Sequence, residues 1–375
     1  MIYLDNAATS FPKPDAVVKR INEVLRRIGG NPGRGSHRMS IEAGRVVFSA
    51  RESVASLFNI ADSSRVVFTK NATEAVNVVL KGLLKKGDHA ITTSFEHNSV
   101  VRTLARLERE GVSVTKVSGK VPGLVVASDI EKAITPKTRL VVMVHASNVI
   151  GAIQPVRDIG RLLKKKGITF VVDAAQTAGV IPIDMDKDNM DVLIATGHKA
   201  LFGPQGTGFF CLKEDIDFEP LLDGGTGEAD VMLDVPDRFE TGTINTPGVG
   251  GLGAGAEFVL KEGVKKIRLR ETALIAQILD GFKRMPGIKV VGPRDAKERV
   301  SLVSFIVEGK TAVDVGAMLD ADFAIMMRCG IHCAPDAHRN AGTFPHGTAR
   351  VSPGYFNTHE EIEEFLKAMA GIVKG

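Results

Sequence analysis

Short apolar runs rich in β-branched residues alternate with helical patterns over roughly the first 220 residues of the chain. Seven of these runs are predicted to be strands, at residues 65–69, 90–93, 112–117, 140–145, 169–173, 191–195 and 208–212. Helical patterns lie between most of them, at residues 73–84, 99–110, 129–134 and 156–166. Several runs are apolar at nearly every position, which is typical of parallel strands that are covered on both faces. The pattern predicts an α/β fold with a mostly parallel sheet and helices on both faces.

No helical pattern separates the last two predicted strands, so an antiparallel strand can enter the sheet at that point. Beyond about residue 220 the pattern changes to a loop at 222–238, a long helical region at 250–285, strands at 288–291 and 300–307, and helices at 311–319 and 359–373. This arrangement predicts a smaller C-terminal α+β domain. The expected division is a large domain at 15–250 and a small domain formed by 1–14 and 251–375.

Charge and composition exclude several classes of protein. The chain has 375 residues, with 48 Lys and Arg against 44 Asp and Glu. Basic residues are scattered among acids, which argues against a nucleic-acid binder. No apolar run approaches the ~20 residues that span a bilayer, so no membrane association is expected. The N-terminus lacks the features of a secretion signal, and three cysteines are too few for a disulfide framework, so we expect the reducing cytoplasm.

Chemically useful side chains follow the predicted strands, where ligands bind in open α/β sheets. Thr73 begins a helix, where free N–H groups can bind phosphate, although a helix cap is the simpler interpretation. His97 could be a cap, a core residue or a ring that stacks on a cofactor. Asp173 ends a buried strand and could hold a metal, a ribose hydroxyl or a protonated ring nitrogen. Lys199 follows an apolar strand in a Gly-rich segment, which favours a Schiff-base amine.

Each of these signals is weak, but together they select pyridoxal phosphate (PLP) chemistry. PLP requires a lysine for covalent attachment, an acid opposite the pyridine nitrogen, and a phosphate site. Successive strand ends supply each part. No G-x-G-x-x-G follows the first strand of an α/β unit, which argues against a nicotinamide-binding sheet.

The motifs LDNAAT, NATEAVN, FEHNSV, HASNVIG, VDAAQTAG, TGHKALFGPQGTG and RFETGTINTPG occur between residues 4 and 248. This set resembles the class V aminotransferases, and within them the cysteine desulfurase and selenocysteine lyase branch, over nearly the whole chain. The resemblance implies the PLP enzyme fold called fold type I, with a seven-stranded sheet in the large domain. It also implies a homodimer that uses PLP.

The resemblance assigns cofactor roles to matching positions. Lys199 would bind PLP covalently, Asp173 would hold the pyridine nitrogen protonated, and His97 would stack on the ring and donate a proton. Gln176 and Asn148 would lie beside the ring oxygen, with Asn148 also near the substrate. The phosphate would be bound by Thr73, Thr196, His198 and the backbone of Ala72, and by Thr243 from the partner subunit.

The substrate end of the site is expected in the C-terminal domain. Residues 328–335, RCGIHCAP, resemble the family's catalytic loop, and this places the nucleophile at Cys333. Arg350 lies in a segment that resembles the family's carboxylate-binding segment, and an Arg fork matches a carboxylate with two hydrogen bonds. His37 matches a family position that lines the active site. A zinc site is an alternative interpretation of Cys329, His332 and Cys333 with His338 and His346, although the spacing is irregular.

The resemblance implies a cysteine desulfurase that converts L-cysteine to L-alanine and transfers the sulfur to Cys333 as a persulfide, and from there to an acceptor protein. Selenocysteine lyase and cysteine sulfinate desulfinase use the same scaffold and remain alternatives. A true aminotransferase or epimerase of the same class would not need Cys333. A non-catalytic PLP-fold binding protein is the alternative from another class. The role of Cys329 is open, and relaying or protecting the persulfide is one hypothesis.

Overall fold

The computed structural model describes residues 1–33, 35–119, 123–213, 216–224 and 234–374. Its strands are β1 (Ile2–Tyr3), β2 (Val66–Thr69), β3 (His89–Thr93), β4 (Ser113–Val117), β5 (Thr138–Val144), β6 (Thr169–Asp173), β7 (Val192–Thr196), β8 (Gly208–Leu212), β9 (Ile288–Val291), β10 (Val303–Val307), β11 (Ile325–Met326), β12 (Arg328–Gly330) and β13 (Thr348–Val351). Its α-helices are α1 (Asp15–Arg27), α2 (Arg38–Phe58), α3 (Ala72–Leu83), α4 (Asn98–Arg109), α5 (Ala127–Ala133), α6 (Val156–Lys166), α7 (Thr246–Glu262), α8 (Val264–Lys283), α9 (Ala312–Phe323), α10 (Pro335–Asn340) and α11 (His359–Lys374). Short 3₁₀ helices occupy Ser63–Arg65 and Ala296–Glu298.

The predicted α/β fold with seven strands is confirmed. The large sheet has the order β2-β8-β7-β6-β5-β3-β4. Its strands β4, β3, β5, β6 and β7 run parallel, whereas β8 runs antiparallel to both β7 and β2. The reversed strand therefore enters where the sequence lacks a helix between two strands.

Except at the edge strand β4, the sheet is largely buried on both faces, as its apolar runs predict. Along β6, Phe170 and Val172 belong to one hydrophobic core. Val171, which points to the opposite face, belongs to a second core. The first core packs against α2, α6 and α7, and the second against α3 and α4. Burial on both faces leaves the carboxyl edge of the strands as the place where polar side chains can gather.

The C-terminal part forms a separate four-stranded sheet of order β12-β13-β10-β9. Helices α8, α9 and α11 cover it, and Phe282, Phe305 and Phe365 lie in their shared core. The chain begins in this same unit, because β1 pairs in parallel with β11. Leu4, next to β1, is also buried in that core.

The predicted helical region at 250–285 consists of two helices that meet at Gly263, which has a φ of 84°. A positive φ is readily adopted by glycine, and the helix breaks there. Residue 250, the predicted domain boundary, lies inside α7. Leu252 and Ala256 of α7 are buried in the core of the large sheet. We therefore propose that the large domain extends to Gly263.

The predicted strand at 300–307 begins only at Val303. The residues just before Val303 lie outside the strand and follow Arg299, which is fully buried. Its guanidinium donates to the carbonyl oxygens of Leu302, Ile150 and Val291 at 2.9–3.3 Å, and also to that of Pro293. Burial without a carboxylate partner lowers the pKa of Arg299 to about 9. This network ties the small domain to the loop after β5.

Two expectations from the sequence lie partly outside the described residues. Of the loop predicted at 222–238, residues 225–233 fall there, and so does Arg34, which precedes His37 in the segment compared with the family. Every helix in the described part of the chain is too short or too polar for a transmembrane segment.

Candidate active site

A cavity of about 210 Å³ lies at the carboxyl edge of the large sheet, between that sheet and the small domain. It brings together Arg350 and every predicted cofactor residue except Thr243, and these residues are Ala72, Thr73, His97, Asn148, Asp173, Gln176, Thr196, His198 and Lys199. They come from the ends of five strands and from β13 of the small domain. The sequence prediction and the geometry therefore select the same place.

Lys199 and Asp173 supply an amine and an acid in one cavity. Asp173, the last residue of β6, is 2% exposed and accepts a hydrogen bond from the Ala175 N–H at 2.9 Å. Burial raises the pKa of Asp173, while this hydrogen bond and the charge of Lys199 oppose the rise. Burial lowers the pKa of Lys199 to about 8, against the charge of Asp173. A neutral lysine amine is thus accessible near neutral pH.

His97 is the cap residue of α4. Its Nδ1 accepts a hydrogen bond from the Ser99 N–H at 3.1 Å and lies 2.9 Å from the Ser99 hydroxyl. Burial, together with the charges of Lys199 and Arg328, lowers the pKa of His97 to about 4. The ring is therefore neutral, and because Nδ1 accepts, its proton is on Nε2.

The start of α3 forms one end of the cavity, where Asn71 caps the helix by accepting from the Glu74 N–H at 2.9 Å. Gly208 makes this arrangement possible, since a Cβ at that position would lie 2.5 Å from the carbonyl carbon of Asn71. The N–H groups at the beginning of a helix attract anions. Thr73 and Thr196 line the cavity beside them.

His198 lies at the same end of the cavity. Its backbone carbonyl accepts from the Ser10 N–H at 3.0 Å and from Lys13 Nζ at 2.8 Å. Its Nδ1 is buried without a hydrogen-bond partner. Burial lowers the pKa of His198 to about 4, so the ring is neutral. A neutral imidazole with an unsatisfied nitrogen is suited to a ligand oxygen.

Two side-chain amides line the cavity wall. Gln176 Nε2 donates to the Ala7 carbonyl at 3.1 Å, which ties the N-terminal segment to the site. Asn148 Nδ2 donates to the His332 carbonyl at 2.5 Å, and this bond joins the large domain to the cysteine loop. Asn148 Oδ1 is buried without a partner.

Arg350 on β13 is 1% exposed. Its Nη2 donates to Asp5 Oδ1 at 2.9 Å and its Nη1 to the Asn148 carbonyl at 2.9 Å. Its Nε is buried without a partner. Arg328 is directly opposite on β12 and also lines the cavity. Among the described residues, Asp5 is the one carboxylate that pairs with these two guanidinium groups. This wall of the site is therefore attractive to a second carboxylate.

Cys333 is exposed and follows β12 closely in sequence. Its Sγ lies 3.5 Å from Nη2 of Arg328, and its carbonyl accepts from the Asn98 N–H at 2.8 Å. His332 and Cys333 have φ values of 49° and 60°, which few non-glycine residues adopt. The thiol therefore lies on a tight turn next to the cavity.

Cys329 faces another part of the molecule. A Cβ on Gly316 of α9 would lie 2.5 Å from Cys329 Sγ, so the thiol packs against that helix. Arg328, its neighbour on β12, reaches Cys333 instead, as expected when successive strand residues point to opposite faces. Within the described ranges, no cluster of three or more His, Cys, Asp or Glu side chains could hold a metal ion.

Two predicted residues lie outside the cavity of a single chain. His37 is exposed and caps α2, where its Nδ1 accepts from the Ser40 N–H at 3.3 Å. Thr243 lines a different cavity of about 150 Å³, beside Phe68 and Phe239. The segment that carries Thr243 begins at Glu240, which forms a buried two-point ion pair with Arg51 at 2.8 Å.

The cavity also contains residues that the sequence did not predict for a PLP or substrate site. They are Ala7, Ala8, Asn71, Ser99, Val144, Ala175, Arg328 and His332. Arg328 and His332 are part of the segment that resembles the catalytic loop. The charge of Arg328 within that segment could have indicated that it belongs to the site. Ala7 and Ala8 belong to the motif LDNAAT, and they reach the site because β1 pairs with β11 of the small domain.

The comparisons with known proteins agree along the whole chain. A model of the class V aminotransferase family matches residues 2–365. A probable cysteine desulfurase of Methanothermobacter thermautotrophicus is 35% identical, over 99% of this chain and 95% of its own length. A probable cysteine desulfurase of Pyrococcus abyssi is 37% identical, over 100% of this chain and 94% of its own length.

Solved structures give the same result. The apo structure of a cysteine desulfurase from Thermococcus onnurineus superposes with a TM-score of 0.94 at 37% identity, covering 100% of this chain and 95% of that one. The α/β fold is therefore that of the fold type I PLP enzymes. The chain belongs to the class V aminotransferase family.

Proposed function

We propose that the protein is a PLP-dependent cysteine desulfurase, which converts L-cysteine to L-alanine and transfers the sulfur to Cys333. The observation that carries this proposal is one cavity that combines Lys199, Asp173 and Arg350 with an exposed thiol at its edge. Class V aminotransferases are PLP-dependent enzymes, and the relatives named as cysteine desulfurases support the reaction.

The residues of the cavity fit PLP. Asp173 is a buried acid suited to a protonated pyridine nitrogen, and His97 is a neutral ring suited to stacking. The unpartnered Nδ1 of His198 and the beginning of α3 suit the phosphate. Gln176 and Asn148 suit the ring oxygen. Lys199 would hold PLP covalently, and the cofactor would supply an electron sink for the Cα of the amino acid that takes the place of this lysine.

The substrate carboxylate is proposed to bind at Arg350. Two of its nitrogen atoms are held by Asp5 and Asn148, so the guanidinium is fixed before the substrate arrives. A fixed fork loses little entropy on binding a carboxylate. With the carboxylate held there, the released Lys199 amine is placed to remove the Cα proton, and the ammonium that it becomes can return a proton to the substrate carbon. The Nε2–H of the neutral His97 ring is a hydrogen-bond donor in the same cavity.

Cys333 is proposed to take the sulfur. Its thiolate attacks the sulfur of the bound cysteine, so that an S–S bond forms while the Cβ–S bond breaks. The electron pair of the broken bond stays with the substrate carbon, which is then protonated and leaves as alanine. Arg328 Nη2 lies 3.5 Å from the sulfur, so a guanidinium contacts the atom that would receive the transferred sulfur.

The geometry around Cys329 does not support a relay of the persulfide. Its thiol packs against α9, and burial raises its pKa, which keeps the thiol protonated. We propose that Cys329 is a packing residue. An acceptor protein would then collect the sulfur directly from the exposed Cys333.

We further propose a homodimer in which Thr243 completes the phosphate site of the other subunit and His37 approaches the other cavity. Both residues lie away from the cavity of their own chain, and Thr243 lies on a segment anchored by the buried Arg51–Glu240 pair. Cys333 must remain a thiol between turnovers, so we keep the cytoplasm as the proposed compartment.

The proposed activity is tested by product analysis. The holoenzyme is incubated separately with cysteine, selenocysteine and cysteine sulfinate, and alanine and protein-bound persulfide are measured. We expect stoichiometric alanine and a persulfide on Cys333 with cysteine. Alanine from selenocysteine alone would favour the lyase, and alanine from the sulfinate alone would favour the desulfinase. Absence of any product would favour a non-catalytic binding protein.

Replacing Arg350 by lysine is expected to raise the KM for cysteine about tenfold to a hundredfold, with a smaller effect on kcat. A lysine keeps the charge near Asp5, but it cannot hold Asp5 and a carboxylate with a planar fork. Steady-state kinetics of alanine formation provide the measurement. Arg339→Lys, at an arginine on α10 that pairs with Asp336, is the matched control. An unchanged KM in Arg350→Lys would show that the substrate carboxylate does not bind at Arg350.

A further inference from the structure

The turn that carries Cys333 is held against a backbone preference. His332 and Cys333 have φ values of 49° and 60° in succession, in the left-handed region. Non-glycine residues rarely adopt this region, so two successive residues persist there only if their surroundings fix them. Two hydrogen bonds and the packing of the His332 ring provide these surroundings.

On the cavity side, two hydrogen bonds hold the turn. Asn148 Nδ2 donates to the His332 carbonyl at 2.5 Å, and the Asn98 N–H donates to the Cys333 carbonyl at 2.8 Å. On the opposite side, the ring of His332 extends into the small domain. It is buried, and its Nε2 lies 3.1 Å from the Thr348 hydroxyl.

A second imidazole, His338 of α10, packs against the first. The centroids of the two rings are 5.6 Å apart and their planes differ by 38°. His338 is 0% exposed, and its Nδ1 lies 2.6 Å from the Thr343 hydroxyl. That hydroxyl donates to the His338 carbonyl at 3.4 Å, so its oxygen accepts the proton of Nδ1.

This arrangement leaves two nitrogen atoms without partners. His338 Nε2 and His332 Nδ1 are buried and make no hydrogen bond to the described residues, while an interaction with the backbone of Ile331 favours the protonated form of His338. Burial lowers the pKa of His338 to about 4, and burial with the charge of Arg350 lowers the pKa of His332 to about 2. Both rings are neutral near pH 7. Because the two rings pack against each other and each lies within hydrogen-bond distance of a threonine hydroxyl, the position of one ring restricts the other.

We propose that His338 is a positioning residue for the Cys333 nucleophile. Its ring is oriented by Thr343 and supports His332 from behind, and this support fixes the left-handed turn that places the thiol next to Arg328. His338 itself is not among the residues that line the cavity. The proposal rests on the proposed function, because it assigns the turn to sulfur transfer.

A role in packing alone predicts a different response to substitution. If His338 only filled space, phenylalanine would replace it, since a ring of similar shape keeps the contact with His332. If its orientation through Nδ1 matters, phenylalanine fails, whereas asparagine places an amide donor near the position of Nδ1 and restores part of the function. The comparison of these two variants therefore separates the two roles.

The experiment uses full-length holoenzyme with His338→Phe, His338→Asn and Thr343→Val, and His346→Phe as the control on an exposed histidine of the same segment. Three quantities are measured: kcat and KM for cysteine, the rate of Cys333 alkylation by iodoacetamide without substrate, and the visible absorption of the cofactor. We expect His338→Phe to change the alkylation rate and to lower kcat about tenfold to a hundredfold, as for a misplaced reacting group, with KM and absorption unchanged. His338→Asn is expected to recover part of this loss, and Thr343→Val to show a smaller loss in the same direction.

Two results would overturn the proposal. Wild-type kcat and alkylation rate in His338→Phe would show that the turn is set without this ring. Equal losses of cofactor binding, KM and kcat would show a general structural role. If His338→Phe fails to fold, Thr343→Val decides in the same way, because it removes the orienting hydroxyl and leaves the ring. Absence of persulfide in the wild type would contradict the proposed function, whereas the alkylation rates would still test the turn.

Discussion

Replacing Lys199 by alanine is expected to abolish alanine formation, with a loss of at least about a thousandfold. The substitution removes both the covalent anchor of PLP and the base for the Cα proton, and a positioned base alone contributes about 10²–10⁴-fold. Treatment with borohydride should attach PLP permanently to the peptide containing Lys199 in the wild type and to no peptide in the variant. Mass spectrometry of the digested protein provides this measurement.

The lowered pKa of Lys199 gives the same prediction a second readout. At pH 7 an amine with a pKa of about 8 is about one-tenth neutral, whereas an ordinary lysine is neutral in about one molecule in 3,000. The rate at which the cofactor-free protein takes up PLP should therefore rise from pH 6 through pH 8, where half of the amine is neutral, and level off at about pH 9. Lys213→Ala, at a lysine paired with Asp186, should leave loading and turnover unchanged. Covalent trapping of PLP in Lys199→Ala would contradict the assignment.

Replacing Cys333 by alanine is expected to stop persulfide formation completely and to lower alanine production from cysteine at least about a hundredfold. The thiol is exposed and Cys333 is not among the residues that line the cavity, so its removal should not disturb the phosphate or pyridine contacts. PLP content and visible absorption should therefore remain those of the wild type. Alanine and protein-bound sulfur are measured in the same reaction.

Cys329→Ser is the matched control for this experiment, because Cys329 packs against α9 on the other face of β12. We expect it to retain turnover and persulfide formation at Cys333. Full conversion of cysteine to alanine by Cys333→Ala would contradict the nucleophilic role, and loss of persulfide transfer in Cys329→Ser would restore the relay hypothesis.

The sequence was most informative where local pattern and chemistry coincide. Apolar runs on strands such as β6 and β7 predict buried parallel strands, and Asp173 and Thr196 are their last residues. Because the carboxyl ends of such strands meet at one edge of a sheet, the convergence on Lys199 could be predicted without a structure. The reversed direction of β8 was predicted from the missing helix alone.

The remaining features depend on contacts between distant parts of the chain. The ring of His338 has a role only because α10 folds back under His332, and Arg328 reaches Cys333 only because β12 turns Cys329 the other way. The break of the helical region at Gly263 is decided by how α7 packs on the large sheet and α8 on the small one. No periodic pattern of apolar residues specifies these contacts.

The reversed strand β8 has a consequence for the order in which the molecule is assembled during synthesis. Residues 197–207 connect β7 directly to β8, so the segment with Lys199 is a local hairpin connection and closes with a small entropy cost. The ends of β2 to β8 and the start of α3 are all complete once residue 212 has left the ribosome. Arg350 and Cys333 come from more than a hundred residues later in the chain. We expect the nascent chain to form the PLP-binding half of the site first. The half that contains Arg350 and Cys333 is added only when synthesis is nearly finished.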